Sequence, residues 1–172
     1  LPGPIGAPFM VSPHARRVGA AVGSDGRAAI VFADGRNLLV RTRDQRGRFA
    51  AARSIAPVPR SSLGAVPPGG YLPRIVINRA GMTAVWASDR ISDGDWIDTS
   101  LLARRRVRGA WSRATSAGDI SECCGGTTTI KSFGLAATGG GHIAAFVGDT
   151  YSDDRGLEFV QFDSYQLYVY SP

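Results

Sequence analysis

The stretch VGAAVGSDGRAAIVFADGRNLLVRTRDQRGRFAAARSIAP, Val18 to Pro57, decides the fold. Val18, Ala20 and Val22 alternate with small residues, and Ser24-Asp25-Gly26-Arg27 follows as a turn. Ala28 to Phe32 is a second apolar run, closed by Asp34-Gly35-Arg36-Asn37. Leu38 to Arg43 alternates apolar and cationic residues, Asp44-Gln45-Arg46-Gly47 turns again, and Phe49 opens a last segment ending near Ile55. Asp-Gly between short apolar runs is a strong hairpin signal, because Gly takes a positive φ at little cost. The stretch therefore predicts a four-stranded antiparallel meander.

The same order of segments returns further along. Arg74 to Ile77 precedes Asn78-Arg79-Ala80-Gly81; Met82 to Ala87, with Trp86, answers Arg27 to Ala33, with Phe32. Leu101 to Arg106 answers Leu38 to Arg43, and Gly109-Ala110-Trp111-Ser112 answers Gly47-Arg48-Phe49-Ala50. In a third copy Gly134 to Ala137, His142 to Val147, Leu157 to Phe162 and Gln166 to Tyr170 supply the strands, with Phe146 in the aromatic slot. Self-similarity at a spacing of this kind marks a repeat architecture. The expectation is one all-β domain of about three four-stranded units, at 14–57, 71–117 and 132–172. Residues 1–13 read as an orphan strand and linker, since Val11-Ser12-Pro13 resembles Ile55-Ala56-Pro57 at the end of the first unit.

Composition narrows the function classes. The chain has 172 residues, enough for one real core and hardly for two. No run of eighteen apolar residues is present, so no transmembrane helix is expected. Net charge is +6, and Lys131 is the only lysine, so the positive charge is nearly all arginine. A basic surface suits anionic polysaccharide, acidic lipid or nucleic acid. Arg41 and Arg43 share one strand face, as do Arg104 and Arg106, which predicts a basic stripe. Aromatic residues do not interleave with these arginines, so a specific nucleic-acid site is not expected. The adjacent Cys123-Cys124 lacks the spacing of a zinc site; a vicinal disulfide and two thiols are both open. The chain opens on Leu1 rather than Met, so a processed form or a fragment is expected.

The three units resemble blades of a β-propeller of the type common in secreted bacterial proteins. They are loosely similar to the Asp-box blades of sialidases, through Thr42, Asp44, Gly47 and Phe49. The resemblance implies an extracellular or cell-surface location in a bacterium. It also implies four to eight blades, so three units are expected to be part of a ring or to close one by oligomerisation.

In such meanders the tight turns at Ser24–Arg27, Asp44–Gly47, Asn78–Gly81, Val107–Gly109 and Thr138–Gly141 fall at one end. Long segments at 58–70, 88–100, 116–131 and 148–155 fall at the other, and long loops on a rigid scaffold are where binding tends to sit. Two of them are acidic around an aromatic. Trp96 with Asp95 and Asp98, and Tyr151 with Asp153, are the candidates for ligand binding by ring stacking and carboxylate acceptance. Asp89, Asp93, Asp95, Asp149 and Asp154 are the candidate oxygen ligands for Ca²⁺. No pair of carboxylates at a set separation, nucleophile elbow or phosphate loop is recognisable, so no catalytic residue is named. The expectation is a non-catalytic extracellular module that binds polysaccharide, peptide or protein through the long-loop face. The alternatives are a fragment of a glycan-active hydrolase, and a structural subunit that self-associates through open strand edges.

Overall fold

The computed structural model describes residues 10–57, 73–92, 96–120, 127–138, 142–154 and 159–170. All regular structure among them is antiparallel β, in three sheets that follow one another along the chain. None of the described elements is a helix, and so none is a helix long and apolar enough to cross a membrane.

The first sheet is the meander β1 (Arg16–Val22), β2 (Ala28–Asp34), β3 (Asn37–Arg43) and β4 (Arg53–Pro57). The turns after β1 and β3 have one design. Gly26 N donates to Gly23 O and Gly47 N to Asp44 O, each at 3.0 Å, while Gly23 N and Asp44 N bond back across the mouth to Arg27 O and Arg48 O. Gly26 and Gly47 take φ of 80° and 83°, the left-handed position that closes a type I turn into a hairpin.

The second sheet is β5 (Arg74–Asn78), β6 (Gly81–Ser92), β7 (Trp96–Val107) and β8 (Ala110–Trp111), with β9 (Thr115–Ile120) also paired to β7. Its outer strand is thus in two pieces, β8 and β9. The first sheet does the same, since Phe49 bridges Arg43 before the chain steps out and returns as β4. Ala50 N donates to Thr42 O and Ser112 N to Arg105 O, both at 2.8 Å, so the two steps are superposable in bonding.

The third sheet is β10 (Thr127–Ala137), β11 (Ile143–Asp154) and β12 (Phe159–Tyr170). It has three described strands where the sequence predicts four. Asp163-Ser164 looks like a turn, yet Asp163 pairs Thr150 and Ser164 pairs Asp149, so the two predicted strands run on as one. The long segments shorten for the same reason. Residues 88–92 and 96–100 extend the β6–β7 hairpin, with Asp89 opposite Thr99 and Ser92 opposite Trp96. Residues 148–154 extend β11, and 116–131 contributes to β9 and β10. A backbone ladder is satisfied whatever side chains it carries, so polar, turn-favouring residues do not end it.

The core lies between the first two sheets. Ala29, Val31, Leu38, Val40 and Ile55 from the first meet Ile75, Met82, Ala84 and Trp86 from the second. Full burial of a Val, Leu, Ile or Met side chain contributes about 1.5–3 kcal/mol, so this layer is the main stabilising contact between the sheets. Backbone approach is close there: a Cβ at Gly19 of β1 would overlap the carbonyl of Pro73, just before β5. On the opposite face of the second sheet Val85, Leu101 and Ala103 are also buried. The third sheet packs on that sheet through β10 against β5 and β7, so the second sheet is the middle layer.

Candidate functional site

Four turns meet at one end of the first two sheets and enclose an open cleft of about 770 Å³. They are the tight turns after β1, β3, β5 and β7. Arg27, Arg43, Arg48, Arg79, Arg106 and Arg108 line the cleft, together with the ring of Phe49. Asp44 is the single acid among its lining residues.

Arg27, Arg43, Arg48 and Arg106 are each aimed by hydrogen bonds. Arg43 Nε donates to Gly47 O and Arg106 Nε to Gly109 O, both at 3.1 Å. These are equivalent bonds in the two sheets, from the end of the third strand to the glycine of the turn after it. Arg106 also crosses between sheets, its Nη1 donating to Thr42 Oγ1 at 3.3 Å. Arg27 Nη2 donates to Asn78 O at 3.2 Å and ties the β1–β2 turn to the β5–β6 turn.

Charge in the cleft is poorly compensated. Of the six arginines, Arg27 and Arg48 pair with carboxylates among the described residues, with Asp25 at 2.5 Å and Asp44 at 3.2 Å. Both acids lie below the usual aspartate range. For Asp44 the main cause is the Arg48 main-chain N–H, with the Arg48 guanidinium adding to it against partial desolvation; Arg27 plays the same part for Asp25. Arg106 is shifted downward, first by burial and then by the positive charges of Arg53 and Arg27. A guanidinium stays protonated in water, so the shift records a cation held where its charge is unfavourable. An anion entering the cleft would offset the repulsion from Arg53 and Arg27.

The stripe of four arginines divides between two roles. Arg43 and Arg106 line the cleft. Arg41 and Arg104 are not in its lining and bind main chain through both Nε and Nη1: Arg41 Nε donates to Ala50 O at 3.1 Å and Arg104 Nε to Ser112 O at 2.6 Å. Their other ends reach further, Arg41 Nη1 to Val11 O at 3.3 Å and Arg104 Nη1 to Ile55 O. Arg41 also lies over the Phe49 ring, 5.8 Å from its centroid.

The acidic candidates are on other strands. Asp89 and Asp98 lie on β6 and β7, and Asp149, Tyr151, Asp153 and Asp154 on β11, so the two groups belong to different sheets and are not paired. Trp96 opens β7. The side chains of these seven, and Asp93 and Asp95 altogether, lie outside the described residues, as do Glu122, Cys123, Cys124 and Glu158. No group of three His, Cys, Asp or Glu close enough for a metal occurs among the described residues.

No family model matches this chain, and no curated protein is detectably similar to it. The cleft was not legible in the sequence, because Arg27, Arg79 and Arg108 sit in turns of ordinary appearance. The one signal was the strict reuse of arginine at equivalent positions of the repeat, Arg43 and Arg106.

Proposed function

We infer that this chain is a non-catalytic binding module whose arginine cleft takes an acidic polysaccharide. The observation that carries the reading is Arg106, a partly buried cation near Arg53 and Arg27 in the lining of a cleft where five other arginines face one carboxylate. Guanidinium forks match carboxylate and sulfate oxygens bidentately, which suits a polymer bearing such groups at intervals. An open groove lets a chain pass through rather than enclosing a small ligand. The one lining aromatic, Phe49, gives a sugar ring a face to rest on but no ladder for successive bases.

The stacking of the sheets supports the reading of each as a propeller blade. First strands lie beside one another, β5 against both β1 and β10, as strands nearest a common axis would. On that arrangement the cleft opens on one rim of the disc, between neighbouring blades.

The test is calorimetric titration with a sulfated polysaccharide, a polyuronate and a neutral glucan over a range of salt. The acidic polymers are expected to bind with affinity that falls as salt rises, and the neutral one not to bind. Arg43→Gln and Arg106→Gln should each weaken binding by about tenfold or more, the value of one charge-assisted hydrogen bond. Equal binding of the neutral polymer, or unchanged affinity in both variants, would refute the reading.

A further inference from the structure

Four arginines of the cleft bond to the chain through the same atom. Nε donates to Asp25 Oδ2 from Arg27, to Gly47 O from Arg43, to Asp44 Oδ2 from Arg48 and to Gly109 O from Arg106. What these four offer a ligand is therefore set by their Nη atoms. Arg27 gives one of its pair to Asn78 O, and Arg106 gives one to Thr42 Oγ1. Arg48 keeps both, but its charge is paired with Asp44 and its side chain is 73% exposed. Arg43 differs from all three. Its Nε partner is a neutral carbonyl, neither of its Nη atoms has a hydrogen-bond partner among the described residues, and it is half-buried.

Gly47 decides where that guanidinium lies. Besides the 3.1 Å bond from Arg43 Nε to Gly47 O, a Cβ on Gly47 would stand 2.8 Å from Arg43 Nη2 and 3.5 Å from its Cζ. The guanidinium thus rests on the bare Cα of Gly47, where a side chain would otherwise be. Two other glycines show that turn geometry does not require this. Gly26 closes the matching turn after β1, and Gly109 accepts from Arg106 as Gly47 does from Arg43. All three take positive φ, 80° at Gly26, 83° at Gly47 and 90° at Gly109. Yet a Cβ on Gly26 or Gly109 would meet nothing within 4 Å.

We propose that Arg43 is the anchor of the cleft, taking two oxygens of one acid group end-on through Nη1 and Nη2, and that Gly47 is its positioning residue. A fork of two parallel N–H donors selects a carboxylate or sulfate by geometry as well as by charge. With Nε held on Gly47 O and the guanidinium seated on its Cα, the side chain is ordered before the ligand arrives. Less conformational entropy is then lost on binding. The proposal rests on the cleft reading above and assigns within it the residue that grips the acid group and the residue that aims the grip.

Calorimetric titration with a polyuronate tests both parts. Arg43→Lys keeps the charge and loses the fork, and is expected to weaken binding by about tenfold, the value of one charge-assisted hydrogen bond. Gly47→Ala should weaken it by a similar factor, because the methyl displaces the end of a flexible side chain rather than backbone. Gly35→Ala is the control for backbone strain. Gly35 has φ of 58° and open space around it, in the β2–β3 turn at the other end of the first sheet, so this variant should bind as wild type does. In an Arg43→Lys background Gly47→Ala should cost little further affinity, since its effect passes through the guanidinium. Wild-type affinity in Arg43→Lys overturns the anchor, even where Gly47→Ala does not fold. Wild-type affinity in Gly47→Ala, or an equal loss with and without Arg43→Lys, overturns the positioning role. A wild-type chain that binds no acidic polymer at any salt refutes the cleft reading itself, and the proposal with it.

Discussion

Arg104 of β7 donates to the main-chain carbonyl of Ile55 in β4, and through Nε to Ser112 O at 2.6 Å. One side chain therefore secures both the broken outer strand of its own sheet and the outer strand of the neighbour. Arg41 repeats the arrangement with Ala50 and Val11. Because a planar guanidinium offers donors in a fixed fork, it can serve two acceptors at once, which an ammonium on a flexible stem does poorly. Arg104→Gln and Arg104→Lys should both destabilise the chain, the former by about 1.5–3 kcal/mol in urea unfolding. A neutral result in both would mean that the sheets are held by apolar packing alone.

Gly19 tests how closely the sheets approach. Any Cβ there meets the Pro73 carbonyl and the Arg74 backbone, neither of which is the end of a flexible side chain. Gly19→Ala is expected to cost about 1–3 kcal/mol by forcing β1 away from β5. The control is Gly26→Ala, where space is open and the positive φ is the only obstacle. A thermal midpoint for Gly19→Ala equal to wild type would refute the close contact.

Two arginines are held at positive φ, Arg17 at 53° and Arg108 at 49°. The left-handed region costs an L-residue about 1–2 kcal/mol, and Asn or Gly much less. Arg17 Nη1 is also buried without a hydrogen-bond partner among the described residues. Arg17→Gly and Arg108→Asn should each raise stability, by about 1 kcal/mol. Arg108→Asn should at the same time weaken acidic-polymer binding, since Arg108 lines the cleft. Stability and affinity moving in opposite directions would separate a residue kept for its charge from one kept for its turn.

Asp25 and Asp44 carry the acid sensitivity of the two matched turns. Main-chain N–H groups hold both carboxylates below their ordinary value, near pH 3.9. A group with a depressed folded pKa contributes stability that is present above its unfolded value. That contribution is lost as pH falls through the folded one. The urea midpoint should therefore drop on acidification below about pH 4, and Asp44→Asn should flatten that drop. An identical acid profile for Asp44→Asn and wild type would remove Asp44 from the account.

The meander of the first sheet was legible because its signals are local. Asp25-Gly26 and Asp44 to Gly47 set turn geometry within four residues, and Leu38, Val40 and Ile55 mark the buried face by alternation. The same local logic misplaced strand ends further on. Asp89, Asp98, Asp149 and Asp153 favour turns, yet each lies in a hairpin arm whose hydrogen bonds are between backbones. Asp163-Ser164 failed for that reason too.

Residue chemistry alone settled that this chain is antiparallel β, where its first turns fall, and that arginine recurs at Arg41 and Arg43 and again at Arg104 and Arg106. All of these depend on neighbours a few positions apart. Which arginines line the cleft was decided only when the sheets stacked, because Arg27, Arg79 and Arg106 become neighbours across packed layers. So was the pairing of Arg41 with Val11: a guanidinium chooses its acceptor by what the folded chain brings within about 3 Å, and no local pattern encodes that distance.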